Sequence, residues 1–346
     1  MKTEISTDRA AAVELLQRGE IVALPTETVY GLAADALNPV AVAKIFEAKA
    51  RPRFDPLIVH LSGTEWLGRI VEIPDEDRQL IEKLTNRFWP GPFTIVLPRK
   101  SIVPEIVTAG LDTVAIRISA HAVFSKIIHE FGKPLAAPSA NHFGRISPTT
   151  AQHVLDELGG RIPMIVDAGP TSHGIESTIV AVRDGKINIL RRGPITEEEL
   201  SIFGKIAIGG PGKISAPGQL PTHYAPKTPL CLIDDADSFY PKRNKRVALL
   251  AWKNPRNDFL PAAEFDKRRT GDLRSSKFIA IRQLSERHDL REAAANLFRY
   301  LRELDALEDI DLIVAERVPH RGLGGAIMDR LRRATHSLIA VRDKPE

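Results

Sequence analysis

Apolar residues recur along the chain in two spacings, which separate predicted strands from predicted helices. Short runs of aliphatic and β-branched residues predict buried strands. These runs are IVALPTET at 21–28, which breaks at Pro25, PLIVHL at 56–61, FTIVLP at 93–98, TVAIRI at 113–118, PLAAPS at 134–139, MIVDAG at 164–169 and STIVAV at 177–182. Helical spacing occurs at 6–18, 38–50, 75–88, 120–131 and 149–158. Strands interleaved with helices predict an α/β or α+β domain.

The pattern is interrupted at 204–228, a stretch dense in Gly, Pro, Ser and Thr. We interpret this stretch as a linker, or as a lid lying over the first domain. Regular elements then resume, with predicted strands at 229–234, 247–252 and 311–316 and predicted helices at 289–307 and 324–335. The prediction is therefore a domain at 1–203, the linker at 204–228 and a smaller, doubly wound α/β domain at 229–346.

Composition places the chain among globular proteins. Its 346 residues are 43% hydrophobic and 27% charged, and no apolar run approaches the roughly 18 residues of a membrane span. Residues 1–16 lack the basic-then-apolar order of a signal peptide. The single cysteine, Cys231, excludes an intramolecular disulfide and any site with several cysteine ligands. A reducing, cytoplasmic compartment is therefore expected, without a membrane partner.

Charge is distributed unevenly between the two parts of the chain. Residues 1–226 carry 24 Lys and Arg against 25 Asp and Glu, whereas residues 227–346 carry 24 against 19. The net charge of +4 thus arises in the C-terminal third. This excess is too small to predict a nucleic-acid-binding face from bulk charge. An anion site in the first domain would need locally placed cations.

Polar segments follow several predicted strands, where ligands bind in α/β domains. PTETVYG at 25–31 combines two threonines, a carboxylate and a glycine, and is equally compatible with a hydroxyl-bonded turn. KARPRFDP at 49–56 places three cations within five residues, in a loop that two prolines stiffen. Lys49 and Arg51 can cap helix carbonyls there, but a rigid cationic loop also suits a polyphosphate, which we slightly favour. As a surface cation, Lys49 is expected to contribute little to folding stability.

Three further segments carry hydroxyl groups or cations. They are AAPSAN at 136–141 with RISPT at 145–149, GIEST at 174–178 and RRGP at 191–194. Ser147 or Thr149 can equally be the N-cap of a helix, and the two arginines can lie in a solvated turn. Familiar motifs for covalent catalysis, phosphate loops and metal sites do not occur in the sequence. Together the segments favour phosphoryl or nucleotidyl transfer, which depends on positioning and charge stabilisation.

In order and spacing, these segments resemble the YrdC-like family. The matching motifs are PTETVYGLAADA, KARPRFDPLIVH, WPGPFTIVL, AGLDTVAIR, APSANHFGRISPT, GIESTIV and LRRGP. APGQLPTHYAP and the second domain, with RGLGGAIMDRLRRA, resemble the two-domain form of the threonylcarbamoyl-AMP synthases. The resemblance implies an open, twisted sheet with a ligand cavity and a Rossmann-like C-terminal domain.

The resemblance also implies a reaction. L-threonine, bicarbonate or CO2, and ATP with Mg2+ give threonylcarbamoyl-AMP and pyrophosphate, for N6-threonylcarbamoyladenosine at position 37 of tRNA. It implies no covalent nucleophile and no metal ligand from the protein. The implied threonine contacts are Thr26, His60, Arg117, Ala137 and Ser177. The implied ATP contacts are Lys49, Arg51, Asp55, Thr113, Ser139, Ser147, Arg191 and Tyr224.

One position departs from the family pattern. Asp55 stands where members often have Asn, and a carboxylate there repels phosphates unless it faces Mg2+ or a hydrogen-bond donor. Implied partners are downstream proteins that transfer the threonylcarbamoyl group to tRNA, while direct tRNA contact is not required. An RNA-binding module without catalysis is the alternative, which the charge of residues 1–226 disfavours. The related carbamoyltransferase of hydrogenase maturation needs cysteine-rich zinc motifs, which one cysteine cannot supply.

Overall fold

The computed structural model describes residues 2–207, 223–241, 245–253 and 277–335. It divides the chain into two compact units. The first comprises Met1–Phe143 and Ser147–Leu220, and the second comprises Gly144–Ile146 and Pro221–Glu346. Most of the predicted linker, residues 208–222, lies outside the described residues, so its interpretation as a lid stays a prediction.

The first unit is built on one mixed sheet of eleven strands in the order β1-β8-β2-β3-β7-β4-β6-β5-β9-β10-β11. The strands are β1 (Glu4–Ser6), β2 (Val22–Leu24), β3 (Gly31–Asp35), β4 (Ile58–His60), β5 (Phe93–Pro98), β6 (Thr113–Arg117), β7 (Leu135–Ala136), β8 (Met164–Val166), β9 (Thr178–Arg183), β10 (Lys186–Arg191) and β11 (Lys205–Ala207). Strand β4 runs parallel to β6, and β6 runs antiparallel to β5. All seven predicted strands of this unit are present, in shorter form at most positions.

Eight helices lie in the described part of the first unit. They are α1 (Arg9–Gln17), α2 (Pro39–Lys49), α3 (Leu67–Ile70), α4 (Arg78–Phe88), α5 (Glu105–Thr108), α6 (Ala122–Phe131), α7 (Ala151–Leu158) and α8 (Glu197–Ser201). Asn38 caps α2 as predicted, because its side chain accepts the backbone N–H groups of Val40 and Ala41. Helix α1 begins at Arg9 because Asp8 caps it, which leaves Glu4–Ser6 free to pair with β8.

Four strands of the first unit were not predicted. Strand β1 precedes the first helix and pairs with β8, and β3 begins at the end of the PTETVYG segment. Strand β10 pairs with β9 as an antiparallel neighbour, and β11 begins inside the predicted linker. The linker prediction was therefore wrong for Lys205–Ala207, which are held by the backbone hydrogen bonds of β10.

The two faces of the large sheet differ in what covers them. Most apolar side chains lie in one extensive core on the face that carries Val59, Ile95 and Ile116. On the other face, α1 and α6 cover β2, β3 and β8. Farther along that same face lies a small apolar cluster of short and branched side chains, formed by Ile58, Val96, Ala115, Ile179 and Ala181. The candidate site lies beside this cluster on the same face of the sheet.

The second unit has a parallel sheet of four strands in the order β12-β15-β13-β14. Its elements are β12 (Leu230–Ile233), β13 (Val247–Ala251), β14 (Ala280–Gln283), α9 (Leu290–Asp305), β15 (Leu312–Glu316) and α10 (Gly324–Thr335). Helix α9 packs on β13 and β14, whereas α10 packs on β12 and α9. The prediction of a second α/β domain is confirmed, although β14 was not foreseen.

Candidate functional site

A row of polar side chains crosses the sheet beside the small apolar cluster. His60 of β4 lies opposite Arg117 of β6, which lies opposite Thr94 of β5. The Thr94 hydroxyl is 2.8 Å from that of Ser177, and Ser177 accepts a hydrogen bond of 3.0 Å from Arg191 of β10. Because residues opposite each other in a ladder share a face, five neighbouring strands contribute to one polar surface.

Arg117 is the centre of a buried group that we call the Arg117 cluster, comprising Glu27, Thr28, Arg117 and Ser119. The guanidinium donates to Glu27 Oε1 at 2.6 Å, to Thr28 Oγ1 at 3.0 Å and to the Gly91 carbonyl at 3.1 Å. The Ser119 hydroxyl donates to the second Glu27 oxygen at 2.5 Å. Arg117 is only 3% exposed, and these three hydrogen bonds hold its guanidinium in a fixed direction.

Glu27 remains ionised in this cluster despite its burial. Burial alone would raise the pKa of Glu27, but the Arg117 charge and the hydrogen bonds from Ser119 and Arg117 hold that pKa at about 2. Three of the five N–H donors of Arg117 are engaged within the protein. The remaining donors suit a second carboxylate, such as that of an amino acid.

Thr26 is tied to the same cluster through its neighbour. Its hydroxyl lies 2.8 Å from the Thr28 hydroxyl and accepts the backbone N–H groups of Thr28 and Val29. The hydroxyl-bonded turn considered for the PTETVYG segment is thus present. That turn also places Thr28 against Arg117, so the structural and functional interpretations of this segment are compatible.

His60 is a buried, neutral histidine. Burial, followed by the adjacent Arg117 charge, lowers the pKa of His60 from 6.5 to about 3. Its ring lies against Phe124, with centroids 4.9 Å apart. Neither ring nitrogen makes a hydrogen bond of normal geometry within the described residues. A neutral imidazole can donate at one nitrogen and accept at the other, which suits a substrate carrying a hydroxyl or amine.

A second charged group, the Lys49 cluster, comprises Lys49, Arg51 and Asp55. Lys49 ends helix α2 and is 1% exposed, and its ammonium donates to the carbonyls of Ser139 and Asn141, both at 2.6 Å. Burial, and then the Arg51 charge, hold the pKa of Lys49 well below its usual value. The expectation that Lys49 is a surface cation with little influence on stability was therefore wrong.

Arg51 and Asp55 form the remainder of the Lys49 cluster. Arg51 donates to the main-chain carbonyls of Asp55 and Pro56 and lies 2.9 Å from one Asp55 carboxylate oxygen. Asp55 is completely buried. Burial raises the pKa of Asp55, against the lowering influence of Arg51, Lys49 and Arg191. These three cations are therefore close enough to act on one carboxylate.

The remaining predicted contacts near these clusters are small or hydroxyl-bearing residues. Ala137 follows β7 and donates its backbone N–H to Ile58, and Ser139 supplies a carbonyl to Lys49. The Ser147 hydroxyl donates to the Glu176 carboxylate at 2.5 Å. Glu176 immediately precedes Ser177 in the chain. The helix cap considered for this region belongs instead to Thr150, which accepts the His153 N–H.

The two remaining predicted ATP contacts are Thr113 and Tyr224. Thr113 begins β6, about 13 Å along the strand from Arg117, and is partly exposed. Tyr224 belongs to the second unit, where its ring stacks on Phe298 at 5.4 Å and lies under the Arg330 guanidinium. Within that unit Tyr224 is a packing residue, and its contact with ATP stays a prediction.

Sequence reasoning missed Glu27 and Ser119 as partners of Arg117, and Glu176 as a partner of Ser147. Glu27 and Glu176 each lie in one of the polar segments that follow predicted strands, but neither was assigned a role. A carboxylate beside a buried strand was the available signal, since a buried charge requires a partner.

Membrane-spanning helices and metal-binding clusters are both lacking among the described residues. No helix in the described ranges is long and apolar enough to cross a membrane. In the same part of the chain, no group of three or more His, Cys, Asp and Glu side chains is arranged to hold a metal ion.

Comparisons with known proteins cover both units. The Sua5/YciO/YrdC family model, described as "Telomere recombination", matches residues 14–193. The model described as "Threonylcarbamoyl-AMP synthase, C-terminal domain" matches residues 195–336.

Individual relatives are similar over nearly their whole length. A threonylcarbamoyl-AMP synthase of Pyrococcus abyssi is 39% identical, covering 94% of this chain and 93% of its own. That of Bacillus subtilis is 38% identical, covering 96% and 94%. The crystal structure of Pyrococcus abyssi Sua5 complexed with L-threonine aligns with a TM-score of 0.82 at 34% identity, covering 97% of this chain and 98% of that one.

Proposed function

The chain belongs to the threonylcarbamoyl-AMP synthase family, and we propose that its first unit joins L-threonine, bicarbonate and ATP into threonylcarbamoyl-AMP and pyrophosphate. Membership confirms the predicted family, fold class and enzyme class, a nucleotidyltransferase. The assignment of individual residues to the substrates is our proposal. So are Mg2+, the downstream transfer of the product to position 37 of tRNA, and a cytoplasmic location, which one cysteine favours.

The observation that carries the residue assignment is the continuous polar row from His60 through Arg117, Thr94 and Ser177 to Arg191. One end of the row presents a neutral histidine beside a fixed arginine. The other end presents an arginine that acts on Asp55 together with Lys49 and Arg51. A substrate carboxylate and a polyphosphate can therefore lie on one surface, which is what joining an amino acid to a nucleotide requires.

The threonine would bind at the Arg117 cluster. Its carboxylate pairs with Arg117, and its polar groups approach His60 and Thr26, with Ala137 leaving room beside them. Bicarbonate takes up a proton and loses water to give CO2, and the neutral amine adds to CO2 and loses a proton to form a carbamate. Because the guanidinium is already fixed by Glu27 and Thr28, little reorganisation accompanies binding.

The ATP phosphates would bind between Lys49, Arg51 and Arg191, with Ser139 and Ser147 beside them. A carbamate oxygen attacks the α-phosphorus, and the bond to pyrophosphate breaks. No side chain becomes covalently linked, so the residues contribute alignment and neutralisation of charge. Mg2+ bound to the phosphates neutralises charge on the leaving pyrophosphate.

Pyrophosphate release tests this proposal directly. The protein is incubated with ATP, Mg2+ and bicarbonate, with and without L-threonine, and both pyrophosphate and threonylcarbamoyl-AMP are measured. We expect release that requires threonine and that Arg117→Ala abolishes. The matched control is Arg18→Ala, which removes an exposed arginine elsewhere in the same unit. Release of pyrophosphate that is independent of threonine would contradict the proposal.

A further inference from the structure

Asp55 is an unusual buried carboxylate. It is completely buried, and neither carboxylate oxygen accepts a hydrogen bond from any described residue. Arg51 forms an ion pair with one of these oxygens at 2.9 Å, and the contact does not meet the geometry of a hydrogen bond. Buried carboxylates normally satisfy both oxygens, because a charge without hydrogen bonds is costly in a low dielectric.

Two of the neighbouring cations hydrogen-bond main-chain carbonyls. Lys49 donates to the carbonyls of Ser139 and Asn141, and Arg51 donates to the main-chain carbonyls of Asp55 and Pro56. The fold thus surrounds Asp55 with positive charge while leaving its carboxylate oxygens without hydrogen bonds. Glu27 in the Arg117 cluster is the opposite case, since both of its oxygens accept one.

The chemistry of the site indicates what completes Asp55. Lys49, Arg51 and Arg191 act on this carboxylate and also attract phosphate oxygens. An ATP phosphate placed among them would meet the Asp55 charge and be repelled. A divalent cation between the two removes the repulsion, because Mg2+ in nucleotide sites takes one or two carboxylates, phosphate oxygens and water as ligands.

We propose that Asp55 is a protein ligand of the divalent cation that accompanies the ATP phosphates. The inference rests on the proposed function, since it requires a polyphosphate at the Lys49 cluster. A single carboxylate is sufficient because the phosphates bring the other ligands, which agrees with the lack of a three-residue metal group among the described residues. Without the cation, Asp55 competes with the phosphates for Arg51, so phosphate binding depends on Mg2+.

Calorimetric titration with inorganic tripolyphosphate isolates this effect, because the probe has neither ribose nor adenine. Titrations are made with and without Mg2+ on the wild type, on Asp55→Asn and on the control Asp35→Asn. Asp35 is a buried carboxylate of the same unit that already accepts hydrogen bonds and pairs with Lys133. We expect Mg2+ to strengthen binding about tenfold in the wild type and in Asp35→Asn, equivalent to about 1.4 kcal/mol.

Asp55→Asn should lose this dependence on Mg2+ and bind metal-free tripolyphosphate at least as tightly as the wild type. Its thermal midpoint should fall, because the substitution removes the charge paired with buried Arg51, so binding is measured at a temperature at which all three proteins are folded. A variant that keeps the full gain from Mg2+ would overturn the assignment of Asp55 and leave the proposed function intact. A wild type that binds neither tripolyphosphate nor ATP would overturn the proposed function itself.

A second measurement avoids substitution altogether. The wild type is labelled with aspartate carrying carbon-13 in its side-chain carboxyl, and Mn2+ replaces Mg2+ in the tripolyphosphate complex. Electron–nuclear double resonance then detects a carboxyl carbon bound to the metal. We expect a carbon coupling that disappears in Asp55→Asn and persists in Asp35→Asn, and its absence from the wild type would exclude direct ligation by Asp55.

Discussion

The Arg117 and Lys49 clusters each contain a guanidinium beside a buried carboxylate, but the two groups are paired in opposite ways. In the Arg117 cluster the carboxylate and the guanidinium bond each other, and Ser119 and Thr28 occupy further positions around them. In the Lys49 cluster the cations bond main-chain carbonyls, and the carboxylate accepts no hydrogen bond from described residues. In the first cluster the carboxylate is paired within the protein. In the second, we propose, a bound cation and its phosphates pair with the carboxylate.

This difference fits the two proposed substrates. An amino-acid carboxylate is a small anion with a fixed shape, so a rigid, neutral pair of charges recognises it with little reorganisation. A triphosphate carries several charges and a cation of its own. Surplus positive charge with one carboxylate between the cations suits that ligand. Substitutions in each cluster should therefore have different consequences for folding and for binding.

Arg117→Ala should have the largest effect. It leaves Glu27 buried without its partner, so we expect the free energy of unfolding to fall by about 3–5 kcal/mol. Threonine use should weaken by about 2–4 kcal/mol more than ATP binding, because Arg117 faces the amino acid. Urea denaturation and separate titrations with threonine and ATP measure these quantities.

A double variant separates the two roles of Arg117. Adding Glu27→Gln to Arg117→Ala removes the stranded charge, so stability should recover in part while threonine binding stays lost. Equal losses of threonine and ATP binding in Arg117→Ala would contradict the division into two clusters.

Lys49→Met should have the next largest effect. The substitution keeps the buried volume but leaves the carbonyls of Ser139 and Asn141 without their charged donor, which should cost about 2–4 kcal/mol of folding stability. ATP binding should weaken, while threonine binding to the folded protein stays near that of the wild type. Lys44→Met on the same helix is the control, since Lys44 is half-exposed. Similar thermal midpoints for both variants would show that the buried bonds of Lys49 contribute little.

The sequence predicted the strands of the site but not the hydrogen-bond partners of the residues on them. Strands β4, β5 and β6 were predicted within two residues because their runs of aliphatic and β-branched side chains are short and bounded by proline, aspartate or serine. Glu27 and Arg117 are 90 residues apart, as are Lys49 and the Ser139 carbonyl. Such pairings depend on strand order, which local pattern does not encode.

The error about Lys49 has a related cause. A lysine in the last turn of a helix is ordinarily a solvent-exposed cap. Here the carbonyls of Ser139 and Asn141, after β7, bond its ammonium. Strand β3 was missed because GLAAD lacks β-branched residues, and it forms because β2 and β7 pair with both of its edges.

His60 should give the protein a specific sensitivity to acid. Its pKa is lowered on folding from 6.5 to about 3, so the folded state disfavours the protonated ring. The contribution of neutral His60 to the free energy of unfolding is therefore fully present above pH 6.5 and is lost as the pH falls toward 3. Lowering the pH from about 7.5 to 4.5 should reduce the free energy of unfolding by about 2–3 kcal/mol through this single group.

The measurement compares the pH dependence of unfolding in the wild type, His60→Asn and His129→Asn. His129 is exposed on α6, so its variant should follow the wild-type curve. His60→Asn should have a shallower curve over this range. Parallel curves for all three proteins would mean that His60 is not kept neutral by burial beside Arg117.

Ser177→Ala should have the smallest effect, but one that reaches both clusters. The hydroxyl lies 2.8 Å from Thr94, opposite Arg117 in the sheet, and accepts from Arg191, which acts on Asp55. We expect affinities for threonine and ATP each to weaken by about 1 kcal/mol, as for the loss of one hydrogen bond. Ser201→Ala, which removes an exposed hydroxyl on α8, is the control. A loss confined to one substrate would assign Ser177 to that substrate's cluster alone, and the polar row would then be two separate sites.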